Sequence, residues 1–232
     1  MKKYFEKHET LISILLIVIY IITNSYCLQN YGITDYRTTL VNIALSLGII
    51  IFIAINRLGG YYGLTKLPNS KEFLYFIPLI LLVTVNLWNG ININNSVSEI
   101  VFYIISMICV GFIEEIIFRG FLFKMMAKDN VNRAIIVTSL TFGIGHIINL
   151  LNGAEVISTL IQICYATTVG YLFVIIFQKG KSLWPCIIAH SMTNALSIFG
   201  VENQVSKYIV PVFLVICSIW YAIYIRKRKM NK

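Results

Sequence analysis

Charge is what this chain has least of. Only 12% of its 232 residues are Asp, Glu, Lys or Arg, against 58% hydrophobic, whereas a water-soluble domain carries about a quarter charged and about half apolar residues. An ordinary soluble enzyme is thereby excluded. The five cysteines, Cys27, Cys109, Cys164, Cys186 and Cys217, form no C-x-x-C pair, so neither a disulfide framework nor a thiolate metal site is indicated and all five are expected to be packing residues. The zinc-protease motif H-E-x-x-H is missing. No internal repeat, low-complexity linker or shift in composition divides the chain, so residues 1–232 read as a single integral membrane domain. A cleavable leader is not expected: the apolar run after Lys2 and Lys3 is about 18 residues, longer than a leader's core, and Ser25-Tyr26-Cys27 puts a bulky ring where a small residue is required.

What the chain does have is apolar stretches long enough for a bilayer. Eight of them, at about 10–27, 38–55, 72–88, 99–123, 133–151, 156–178, 183–199 and 208–225, approach the roughly 17–25 residues that cross a hydrocarbon core. The fold class predicted is all-α, a polytopic transmembrane bundle of about eight helices. Apart from Arg37 and Lys207, every one of the 19 basic residues falls in segments on one side of these spans; short basic loops stay cytoplasmic, so both termini are expected in the cytoplasm. The Asn-rich stretch Asn86–Asn95 holds no Lys or Arg and reads as a loop on the opposite side. The net charge of +9 is thus accounted for by topology and by attraction to anionic membrane lipid, and no nucleic-acid partner is expected.

Ionisable groups inside such spans cost at least about 2.5–3.5 kcal/mol each, so each needs a reason. Glu114, Glu115, His146 and His190 are inside, with Arg119 and Asn194 at helical spacing from two of them. Counted at about 1.5 Å per residue from the cytoplasmic ends, Glu114 and His190 lie about 15 Å deep and His146 and Asn194 about 20 Å deep. Three helices therefore present polar groups in one layer. Glu115 and Arg119, four apart, suit a buried ion pair, which leaves Glu114 to face elsewhere. Phe142 and His146 share a face, as do His190 and Asn194, and Gly143 and Gly145 offer close helix approach.

The set supplies a base and hydrogen-bond donors but no evident nucleophilic side chain. Water activated by Glu114 is therefore the expected attacking group. His146 and His190 either bind a divalent metal such as zinc or orient the water directly, and Asn194 is placed to donate to an oxyanion. Two other readings compete. One is a non-catalytic immunity or scaffold protein that keeps the polar layer for packing. The other is an ion or small-molecule carrier, although neither repeat symmetry nor paired broken helices are visible.

Three motifs, E-E-x-x-x-R at Glu114–Arg119, F-x-x-x-H at Phe142–His146 and H-x-x-x-N at His190–Asn194, resemble in order the CAAX-protease and bacteriocin-processing family of intramembrane proteases. The resemblance covers a protease core of about 111–194. It implies a glutamate-dependent endopeptidase, often described as a metalloprotease, with Glu114 activating water and His146, His190 and Asn194 completing the site. The implied partner is a peptide or protein substrate. Such families trim prenylated C-termini, process secreted peptides or confer immunity to them. The basic bias, small size and frequent Ile and Asn point to a bacterial plasma membrane, which weighs against a prenylated substrate.

Overall fold

The computed structural model describes residues 2–67, 74–201 and 203–228. Among these residues eight helices carry the fold: α1 (Lys2–Tyr31, interrupted at His8), α2 (Tyr36–Ile55), α3 (Leu79–Val83), α4 (Val97–Glu115), α5 (Val131–Gly145), α6 (Val156–Gly180), α7 (Trp184–Leu196) and α8 (Ser206–Lys227). No strand occurs among the described residues, only one isolated bridge joining Ile91 to Gly200. α4 continues without a break through a π-helical stretch, Ile116–Phe123, to Met126. Among the described residues six helices are long and apolar enough to span a bilayer. The protein is a polytopic helical bundle of an integral membrane protein.

Two of the eight expected spans are shorter than their hydropathy suggests. The stretch predicted at 72–88 begins outside the described residues and is otherwise a chain of short turns around α3. The one at 183–199 contains only the 13 residues of α7 plus a closing 3-10 turn. The two pack on each other, and α7 also packs on α4. Lys71, Lys229 and Lys232, counted in the basic clusters, also lie outside the described residues.

Local sequence sets the helix starts. Asp35 caps α2 by accepting from the Arg37 backbone nitrogen at 2.8 Å, and Asn130 caps α5 through Arg133. Ser96 and Glu99 form a reciprocal capping box at the head of α4. In the bundle α4 lies between α2 and α7, while α6 packs on α5 and α8. α1 leans on α2 and on the π-helical stretch.

Glycine decides one of these contacts. A Cβ on Gly143 would lie 2.8 Å from the Ile163 carbonyl oxygen and collide with Thr167, so only glycine lets α5 touch α6. Gly145, expected to act alike, has nothing within 4 Å of such an atom and plays no part in close approach. The cysteines are all free; Cys27 and Cys186 are buried in the packing, whereas Cys164 is exposed and does not serve it.

Candidate active site

α4 and α7 meet at Gly111. A Cβ there would lie 2.7 Å from the Ser191 backbone nitrogen, so the helices approach as closely as backbones allow. One turn further along α4, this brings Glu114 and Glu115 to His190.

Glu115 divides one oxygen between two partners. Its Oε1 accepts from Arg119 Nη1 at 3.0 Å and lies 2.8 Å from His190 Nδ1. A carboxylate at that distance fixes the proton on Nδ1, which leaves Nε2 facing Glu114. Nε2 is 3.7 Å from Glu114 Oε2, too far for a direct hydrogen bond and suited to a bridging water. The other Glu114 oxygen accepts from the Tyr20 hydroxyl at 2.7 Å. The side chains of Glu114 and His190 are 14% and 10% exposed, those of Glu115 and Arg119 0% and 1%. The first pair alone therefore meets solvent-accessible space.

Arg119 is enclosed on every side. Its Nη2 donates to the Gly170 carbonyl at 3.3 Å, and its guanidinium lies over the Phe142 ring, 4.2 Å from the centroid. A Cβ on Gly170 would press on both, at 3.4 Å from Nη2 and 3.0 Å from Phe142. Glu115 Oε2 and Arg119 Nε have no partner among the described residues. Each such buried orphan costs about 1–3 kcal/mol, so the pair is better understood as holding His190 in place than as a source of stability.

His146 ends α5, its ring edge-on to Phe142 at 5.5 Å, and Phe142 in turn lies edge-on to His190 at 5.7 Å. Glu114, His146, His190 and Asn194 all line one cavity of about 370 Å³. The four residues singled out from the sequence as reacting groups thus share one space, with Glu115 and Arg119 directly behind. Tyr20 escaped sequence reasoning; the signal available was a phenol in mid-span, which needs a partner when buried.

The side chains do not form a metal centre as they are placed. Among the described residues no three His, Cys, Asp or Glu group closely enough to hold an ion, although Glu115 on Nδ1 leaves His190 Nε2 turned toward Glu114 and the cavity, as in a histidine that binds a metal. A catalytic zinc needs three protein ligands, so of the two roles open to His146 and His190, metal binding or direct orientation of water, the second is the one developed for this site.

Comparison with known proteins agrees with the motifs. Residues 96–196, which include every one of these groups except Tyr20, match the family model described as Rce1-like: type II CAAX prenyl endopeptidase Rce1-like. The chain is also 29% identical over 107 residues to YdiL of Bacillus subtilis (strain 168), a protein provisionally named a membrane peptidase. That match covers 46% of this chain and 39% of the relative's length.

Proposed function

We propose that the chain is an intramembrane endopeptidase in which Glu114 activates water. The observation that carries this is the pair Glu114 Oε2 and His190 Nε2, facing each other across 3.7 Å on a cavity wall. Tyr20 holds the far side of one group and Glu115 the far side of the other. Water held between them gives a proton to Glu114 Oε2 while its oxygen bonds to the carbonyl carbon of the substrate peptide. The former carbonyl oxygen becomes an oxyanion that receives hydrogen bonds from the Asn194 amide and the His146 ring. The C–N bond then breaks, and the proton carried by Glu114 passes to the leaving nitrogen. The products are a new carboxylic acid and a new amine, which become carboxylate and ammonium once the remaining water proton is exchanged.

The match to Rce1-like endopeptidases and the likeness to YdiL support a peptidase reading. The basic-residue pattern supports both termini cytoplasmic, and together with the small size and frequent Ile and Asn it supports a bacterial plasma membrane setting. The test is incubation of the purified protein in lipid vesicles with a peptide library, read by mass spectrometry with and without excess chelator. Cleavage that survives chelation is the expected result. Cleavage abolished by chelation and restored by zinc would show that a metal is essential and contradict hydrolysis by Glu114 and its hydrogen-bond donors alone. No cleavage under any condition would favour the immunity or scaffold alternative.

A further inference from the structure

The polar layer is closed toward one end of the bundle and open toward the other. On the cytoplasmic side of Glu114, every residue from Glu115 to Phe123 is buried, as is every residue from Leu172 to Phe177. The loop after α2 thickens this floor: Tyr62 is fully buried with its ring 4.8 Å from that of Phe121, and Trp184 Nε1 donates to the Leu64 carbonyl at 2.9 Å. Of this floor Phe173 alone lines the cavity, a smaller hollow of about 80 Å³ beside Glu114 reaches Ile117 and Phe118, and no described residue of the basic loops lines either.

Away from the floor the cavity runs to the opposite end, past Thr38, Asn86 and Ser197 to Ile33 in the α1–α2 turn. A second hollow of about 530 Å³ shares Asn86, Gln162 and Ser197 with it and reaches Glu155 and Lys207. The site and these rims form one route.

The chemistry of the cavity beyond the site is uncharged. Among the described residues, no Asp, Glu, Lys, Arg or His beyond Glu114 and the two histidines lines the cavity; six carboxamides do, from Asn24, Asn42, Asn86, Asn149, Gln162 and Asn194. A carboxamide donates and accepts, the pattern a peptide bond also presents. Several are held in place, Asn42 by Ser106 at 2.7 Å, Asn86 by the Thr193 carbonyl at 2.8 Å and Asn149 by Gln162 at 2.9 Å. An isoprenoid chain laid along them would desolvate these amides without partners. At the rim, both basic residues of this face are neutralised, Arg37 by Asp35 at 2.9 Å and Lys207 by Glu155 at 2.7 Å. The Lys207 ammonium and the Ser158 hydroxyl on Glu155 keep its carboxyl below the usual carboxylate range, so that pair is ionised at neutral pH.

We infer that the site takes its substrate from the non-cytoplasmic face, and that this substrate is an uncharged polypeptide segment bound through its backbone amides. The inference rests on the protease reading and on the topology given by the basic residues.

Thiol labelling tests the route without requiring cleavage. Asn24→Cys and Val169→Cys place thiols on the cavity wall, Thr34→Cys marks the open end and Lys66→Cys the cytoplasmic end, with the parent chain as the blank for its own cysteines. A membrane-impermeant maleimide on intact cells is expected to label Asn24→Cys and Val169→Cys as it labels Thr34→Cys; in inverted vesicles it should label only Lys66→Cys. Either wall variant suffices, provided that it unfolds at the parent's temperature. Cavity thiols that label with Lys66→Cys, or from neither side, would overturn the route. If Thr34→Cys itself labels only in inverted vesicles, the topology has failed and the non-cytoplasmic assignment with it. Labelling as expected in a chain that cleaves nothing would retain the route and reject the protease. For the substrate, neutral peptides added outside right-side-out vesicles should be cleaved at least about tenfold faster than versions carrying Lys or Glu within the bound segment. Equal rates would overturn the uncharged substrate.

Discussion

Glu114 has one oxygen fixed and one presented to the cavity, and Tyr20 is what fixes it. Tyr20→Phe removes a hydrogen bond to a charged group, worth about 1.5–3 kcal/mol. If that bond aims the carboxylate, kcat should fall roughly tenfold or more with KM little changed, as steady-state kinetics would show; a rise in KM at constant kcat would instead assign Tyr20 to substrate binding. Arg119→Ala addresses the second carboxylate. It leaves Glu115 buried without its ion-pair partner, and a loss of about 3–5 kcal/mol is expected in thermal or denaturant unfolding. The Glu115–Arg119 pair was legible because its partners sit four apart on one helix. The other engagement of Glu115, with His190, was not legible: it spans 75 positions of sequence, and spacing says nothing about which faces of two helices meet.

The elements follow the hydropathy less closely than the residues follow the motifs. Hydropathy measures how apolar a segment is, not whether its backbone stays helical, so the stretches around α3 and α7 resembled full spans. Pro78 and Pro185 stand at the starts of the two short helices, where a missing N–H does no harm. The π-helical stretch after Glu115 has no sequence signature either, since its Ile and Phe residues are ordinary for a buried span. Gly143 and Gly145 show the limit of small-residue spacing: it signals that a close approach is available, not which glycine faces the neighbour. Gly143→Ala should destabilise by about 1–3 kcal/mol through overpacking against α6, whereas Gly145→Ala should change the unfolding temperature little. Equal losses in the two variants would contradict the packing described.

At the scale of the molecule, the bilayer made the bundle legible, because it imposes length on spans and sidedness on basic loops. Reporter fusions should place the loop at 92–95 outside and the C-terminus, which lies beyond the described residues, in the cytoplasm; reporters finding both on one side would contradict this topology. The floor built around Tyr62 was not legible, since a loop that folds back into the bundle has the same composition as one that does not. It is this floor that gives the site its direction.

The central claim, that Glu114 is the base that activates water, is tested most directly by the ratio of cleavage rates of the native chain and Glu114→Gln in the same vesicles, at matched folded fraction. A positioned general base contributes about 10²–10⁴-fold, so a fall of at least about a hundredfold with unchanged thermal unfolding is expected. Cleavage by Glu114→Gln at the native rate would contradict it.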